Sequence, residues 1–319
     1  MSGLPRNIIA RLRAWADLPS DTAPFEEQCA RLRRQMGIDD LAPLTVVKQY
    51  GEYRTGSNAL RALVLENFDN ALVLMHLLGD KHHEAADYEN LAKALSGRGA
   101  DQLSAILDAT WARPGGLTRP ENFRQLAFAR AFYKPVASSI TDGTLRVLLT
   151  VRHPLTWVEA VMRFWEWPAQ PAADPWLKGQ WIGLANRLCR RFNVRYAGWL
   201  KLRETFGGRA IVVPFEAIEA DWSGVVESLA SAFPLHLRRG HPVNSARRVE
   251  PSPWDNAPPC YSKAKHRRHA SKRPRVHPEL EEIVNREIDW GLLERLGYTR
   301  EPGGVVQFRP GIQLAVRSI

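Results

Sequence analysis

Two rhythms of apolar and polar positions alternate along the chain. Short aliphatic runs stand at 44–50 (LTVVKQY), 70–78, 145–151 (LRVLLTV) and 210–214 (AIVVP). Each has strand length, and none approaches the ~18–20 apolar residues of a membrane-spanning helix. Between them the apolar residues recur at helical spacing. Leu60, Leu63, Val64 and Phe68 share one face, as do Trp157, Val158, Val161, Met162 and Trp165 behind Pro154, a good first-turn residue. Residues 84–143 read as mostly helical, with breaks at 97–99 and 114–116. A long helix is expected over 176–206 and an amphipathic one over 280–296. Phe25, Cys29, Leu32 and Met36 predict a helix within a helical extension at 1–43. Strands alternating with helices predict parallel βαβ units, hence an α/β fold with a central parallel sheet flanked by helices. One domain is expected over 1–319, with no internal repeat and with 238–277 as a long basic loop inside it.

Composition narrows the class. Of the 319 residues, 45% are hydrophobic and 24% charged, which excludes collagen-like, coiled-coil and wholly disordered chains. Three scattered cysteines, Cys29, Cys189 and Cys260, make neither a disulfide framework nor a zinc site. Arg6, Arg11 and Arg13 interrupt the first apolar stretch, so the start does not read as a secretory leader and a cytoplasmic location is expected. The net charge of +10 favours anionic partners, and its densest block, 263–275, holds seven Lys and Arg. Aromatic residues hardly interleave with that block, so base stacking is not expected and nucleic acid is disfavoured as a partner.

Candidate chemistry sits where strand 44–50 passes into the helix of Leu60. The stretch between them is Arg54-Thr55-Gly56-Ser57-Asn58. A Gly-containing turn that opens a helix presents backbone N–H groups and the positive end of the helix dipole, which together suit an anion. Gly51 and Gly56 have Walker A spacing, but Ser57 stands where that motif needs Lys. A nucleotide triphosphatase is therefore disfavoured. One guanidinium, small hydroxyls and an amide remain, a set able to hold phosphate or sulfonate. The plain alternative is a polar turn capping a helix.

This segment resembles the phosphosulfate-binding loop of sulfotransferases that use 3′-phosphoadenosine 5′-phosphosulfate (PAPS). Arg54 takes the basic position, followed by Thr55, Gly56, Ser57 and Asn58, while Tyr53 replaces the common Pro. A second signature of that family is a strand ending in R-[DN]-P with a Ser eight residues after the Arg. Arg152 and Pro154 fit it, His153 departs, and the Ser position holds Ala160. Arg163 or the basic loop could compensate for the missing hydroxyl, although Arg163 also has Glu159 four residues before it as a partner. Gly79-Asp80-Lys81-His82, the segments 192–200 and 211–216, and Leu296-Gly297-Tyr298 follow in family order, so the likeness spans 44–298.

The resemblance implies a P-loop-like architecture and transfer of a sulfuryl group from PAPS, with PAP as product and no metal. Arg54 is then the cation at the leaving oxygen, Lys81 steadies the sulfonate, and His82 is the general base, with His83 as the alternative. Arg54, Thr55, Gly56, Ser57, Asn58, Arg152 and Arg163 are the expected cofactor-binding residues. Activity should rise with pH as one group near neutrality loses its proton. The acceptor is a small molecule or glycan carrying a hydroxyl (or amine). A carbohydrate is suggested by the resemblance and the basic surface, and Trp157, Trp165, Trp167, Trp176 and Trp181 could offer sugar-stacking faces. Two rival classes stand beside this one: a polyanion- or nucleic-acid-binding protein using the basic loop, and a kinase-like nucleotide-binding protein. Nothing in the sequence sets an oligomeric state.

Overall fold

The four aliphatic runs form one sheet. A computed structural model describes residues 44–97, 101–110, 120–168, 170–243, 277–300 and 306–307. The expected extension at 1–43 and positions 244–276 of the basic loop lie outside these residues. The elements in chain order are β1 (Thr45–Gly51), α1 (Ser57–Asn67), β2 (Ala71–Leu74), α2 (Tyr88–Ser96), α3 (Gln102–Thr110), α4 (Pro120–Thr141), β3 (Arg146–Val151), α5 (Pro154–Phe164), α6 (Pro175–Phe206), β4 (Ala210–Pro214), α7 (Phe215–Ala232), α8 (Pro278–Glu287) and α9 (Trp290–Arg295). A two-residue pair, Thr299–Arg300 and Val306–Gln307, follows as β5 and β6.

The sheet order is β2-β1-β3-β4 and every neighbouring pair is parallel. Alternation along β1 explains the layering. Val46 and Tyr50 enter the larger core, built on α2 to α6, α8 and α9, whereas Val47 enters the smaller core on the opposite face, with residues of α1 and α7. Both faces are therefore covered, which is why these strands read as nearly continuous apolar runs. Trp157, Trp181 and Trp199 are among the largest fully buried side chains, each withdrawing roughly 150–250 Å² from water.

Two elements differ from the sequence expectation. β2 is four residues long and ends at Leu74; the remainder of 70–78 is irregular, and Leu78 and Gly79 both have positive φ. Lys48, fully buried in the middle of β1, donates to the carbonyls of Met75 (2.9 Å) and Gly79 (2.5 Å) and so ties that irregular segment to the sheet. Helix 280–296 is two helices. Ile288 leaves helical geometry and Asp289 caps α9 through the Leu292 N–H. Among the described residues no helix is long and apolar enough to cross a membrane.

Candidate functional site

From β1 the chain moves one way to β2, then returns past β1 to place β3 on its other side. At such a reversal the carboxyl ends of two adjacent strands open a crevice. Here those ends meet at Gly51 opposite Thr150. The strands approach so closely that a Cβ on Gly51 would lie 1.9 Å from Thr150 Oγ1. The loop after β1 is held at several points. Glu52 is buried against Arg191 of α6 (2.8 Å), Thr55 Oγ1 donates to the Glu52 carbonyl (2.7 Å), and Trp157 Nε1 donates to the Tyr53 carbonyl (2.7 Å). Arg54 has φ 64° and Gly56 φ 82°, so the backbone turns twice through the left-handed region before entering α1. Glycine is needed at 56 also because a Cβ would meet the Phe215 ring at 2.3 Å. No side chain caps the N-terminus of α1. Its first-turn N–H groups, those of Ser57 and Asn58 included, thus form an electropositive end at the crevice.

Two guanidiniums stand over this end. Arg54 is exposed and lies over the Phe164 ring at 5.3 Å. Arg152, following β3, donates to the Arg54 carbonyl (3.3 Å) and to Thr156 Oγ1 (3.1 Å), with Phe215 4.8 Å beneath it. Burial lowers the pKa of Arg152, and Glu216 and Glu219 oppose that shift through space. Among the described residues neither guanidinium is ion-paired with a carboxylate.

The segment after β2 arrives at the same place. Lys81 Nζ donates to Asn58 Oδ1 (2.6 Å), and His82 Nδ1 lies 2.5 Å from the Gly51 carbonyl. A carbonyl can only accept, so Nδ1 carries the hydrogen and the neutral ring keeps its lone pair on Nε2. His82 also stacks on Tyr53, with centroids 4.0 Å apart. Burial, reinforced by nearby Arg61, pushes the Lys81 amine down to about 7. Burial, reinforced by Lys81, pushes His82 down to about 3. The expected neutral-pH titration therefore falls on Lys81 in the free protein and not on His82. Asp80 accepts from the His82 N–H (2.8 Å) and contacts His76 (3.0 Å). Its burial favours the acid, but these partners outweigh it and hold the carboxyl well below the usual range.

The structure thus gathers Arg54, Gly56, Ser57, Asn58, Lys81, His82 and Arg152. Thr55 is present, but its hydroxyl turns into the sheet, 3.2 Å from Thr150 Oγ1. Arg163 pairs with Glu159 on the outer face of α5 and borders a cavity of about 10 Å³, room for one water. His83 presents its backbone carbonyl to Trp199 Nε1 (3.1 Å). His153 caps α5 by accepting from the Leu155 N–H (3.3 Å).

Sequence reasoning missed three participants. Thr156 places a hydroxyl on Arg152 one turn before Ala160, and its own Oγ1 donates to the His153 carbonyl (3.0 Å). Glu216 accepts from the His153 N–H (3.0 Å) and from Tyr298 Oη (2.8 Å), joining the first turn of α7, the turn after β3 and the Leu296-Gly297-Tyr298 segment. Burial raises the pKa of Glu216. Glu52 likewise has its pKa raised by burial, against the pull of Arg191. A hydroxyl four residues after Arg152 was a readable signal; Glu216 and Tyr298 lie in segments that the resemblance singled out, but their pairing across 82 positions, like that of Glu52 with Arg191 across 139, had none. No family model matches the chain, and neither a curated protein nor a solved structure matches it.

Proposed function

We propose that the chain is a sulfotransferase that moves a sulfuryl group from PAPS to a hydroxyl (or amine) acceptor, without a metal. The observation that carries this reading is the pair Arg54 and Arg152, joined by a hydrogen bond from the Arg152 guanidinium to the Arg54 carbonyl, without a carboxylate ion pair among the described residues, at the loop before an uncapped helix N-terminus. Two adjacent cations, neither in a direct ion pair with a carboxylate among the described residues, favour a ligand with two separated anionic groups. The motif likeness around both arginines supplies the identity of that ligand.

In the transfer, the sulfur–oxygen bond to the 5′-phosphate breaks, its electron pair stays on that phosphate oxygen, and a new bond forms from acceptor oxygen to sulfur. Arg54 donates hydrogen bonds to the departing oxygen, where charge grows. The N–H groups of Ser57 and Asn58 and the Lys81 ammonium hold sulfonate and phosphate oxygens. Arg152 and Thr156 Oγ1 hold the 3′-phosphate, the threonine standing in for the hydroxyl that Ala160 lacks. His82 Nε2 takes the acceptor proton. A ring held near 3 is a weak base, but the negative charge of a bound nucleotide raises the pKa of any imidazole beside it.

Thermal shifts with PAP, PAPS, ATP and ADP, each with and without magnesium, test the reading. Stabilisation by PAP and PAPS in the absence of metal is expected. Stabilisation by magnesium–ATP alone would overturn it in favour of a kinase-like protein. Arg54→Ala should lower transfer about 10²–10³-fold, the usual loss for one charge-stabilising donor.

A further inference from the structure

The first turn of α7 backs onto the arginine pair. Pro214, the last residue of β4, is the register partner of Val151, so Phe215 and Glu216 enter α7 beside Arg152 and His153. The Phe215 ring meets both halves of the site. Its centroid lies 4.8 Å from the Arg152 guanidinium, and its Cδ2 is 2.3 Å from where a Cβ on Gly56 would stand. One ring therefore spaces the turn into α1 from the guanidinium that follows β3. The buried Glu216 carboxylate is divided between two donors. Oε1 accepts from the His153 N–H (3.0 Å), one residue beyond Arg152, and Oε2 accepts from Tyr298 Oη (2.8 Å). The Tyr298 ring in turn meets the His153 ring edge-on at 5.8 Å. An acidic residue in the first turn of a helix favours that helix's own positive end. This one also reaches across to fix the turn after β3.

We propose that Phe215 and Glu216 are positioning residues that set the spacing of Arg152 from the Arg54 loop, and so select a ligand whose two anionic groups lie at that spacing. The proposal rests on the sulfotransferase reading only for naming those groups as the two ends of one nucleotide. An arginine side chain free in water samples many rotamers and loses that freedom when it binds an anion. A planar guanidinium stacked on a ring and bonded to Thr156 Oγ1 has lost it beforehand, so its remaining donors already point where they are needed. Neither residue suits an anion itself. Phe215 is apolar, and a carboxylate repels phosphate. Their influence on a bound anion therefore passes through Arg152. A leucine at 215 would supply apolar volume but no flat face.

Two measurements on the full chain test this. Calorimetry compares PAP with adenosine 5′-phosphosulfate, which lacks the 3′-phosphate. Phe215→Leu and Glu216→Ala should each weaken PAP about tenfold and the second nucleotide much less. Glu216→Gln, which keeps an acceptor for the His153 N–H, should lose less than Glu216→Ala. On an Arg152→Ala background, Phe215→Leu should weaken PAP no further, because a positioning residue acts only through its target. Nitrogen-15 NMR of the nucleotide-free protein reads Arg152 directly. Its Nε–H, bonded to Thr156 Oγ1 (3.1 Å), should give a slowly exchanging signal that vanishes in Arg152→Ala and exchanges faster in Phe215→Leu. Urea midpoints identify a variant that fails to fold, and Tyr298→Phe, which removes a single hydroxyl, then stands in for Glu216→Ala. Equal weakening of both nucleotides, additive losses in the double variant, or an Arg152 signal unmoved by Phe215→Leu would each overturn the proposal. If PAP does not bind the native protein while the Arg152 signal responds to Phe215→Leu, the sulfotransferase reading fails and the positioning roles stand.

Discussion

Arg152 shows how one side chain acquires a task from its neighbours. Its guanidinium is spread over the Phe215 ring, tied to the Arg54 carbonyl and joined to Thr156, so both its position and its remaining donors are set before any ligand arrives. Preorganised charge of this kind discriminates by the presence or absence of one phosphate. Arg152→Ala should weaken PAP roughly 10–150-fold, the worth of one charge-assisted contact at about 1.5–3 kcal/mol. Adenosine 5′-phosphosulfate, which lacks the 3′-phosphate, should be affected much less. Calorimetric titration of both nucleotides checks this, and an equal loss for both would remove Arg152 from the 3′-phosphate. His82 carries the opposite lesson. Its burial under Tyr53 and beside Lys81 lowers its pKa and keeps the free ring neutral, whereas burial brings Lys81 down to about 7.

At the scale of elements, the crevice depends on how tightly β1 and β3 close behind it. Gly51→Ala drives a Cβ into Thr150 Oγ1 and to 2.9 Å from the Thr150 carbonyl, with Thr55 Oγ1 at 3.0 Å. Backbone cannot swing aside as a flexible side chain can, so a loss of about 1–3 kcal/mol is expected. The Arg54 loop, anchored on the same threonines, should shift with it and lower PAP affinity. Gly198 in α6 is the contrast. It is exposed, has open space around its Cβ position, and lies within a 32-residue helix. Gly198→Ala should stabilise the protein by about 0.5–1 kcal/mol through helix propensity alone. Urea midpoints of the two variants decide the matter; similar changes in both would mean that close approach is not what fixes glycine at 51.

The molecule as a whole carries buried cations that make its stability depend on pH. Burial brings both Lys48 and Lys81 from 10.5 to about 7. Between those values the unfolded chain binds more protons than the folded one, so stability rises as pH increases. Above about pH 10 the tyrosines oppose the trend, because burial raises Tyr50, Tyr88, Tyr196 and Tyr298 and the unfolded chain ionises first. The urea midpoint should therefore climb from about pH 7 to about pH 10. Lys48→Met removes one of the two lysines and should flatten that climb, and parallel curves for the variant and the native protein would contradict it. A nucleotide at the crevice should act on Lys81 rather than Lys48, since Lys81 reaches Asn58 of α1 whereas Lys48 is closed in by the carbonyls of Met75 and Gly79.

The amino-acid sequence by itself determined the layers and the turn that opens α1. Aliphatic runs bounded by turn residues identify β1, β3 and β4 because strands covered on both faces need apolar side chains at nearly every position. The order Arg54-Thr55-Gly56-Ser57-Asn58 between β1 and α1 marks a tight turn into a helix because glycine there permits a backbone that other residues resist. What escaped the sequence is whatever depends on pairs of residues far apart. β2 stops at Leu74, and the carbonyls of Met75 and Gly79 beyond it are bound by Lys48 of β1, a pairing across 27 and 31 positions. The break between α8 and α9 lies at Ile288, where apolar periodicity continues although the backbone does not. The inward turn of the Thr55 hydroxyl, the joining of Glu216 to Tyr298, and the depressed basicity of His82 each arise from neighbours brought in by the fold. Burial and distance set those properties, and both exist only once the sheet has closed and its two faces are covered.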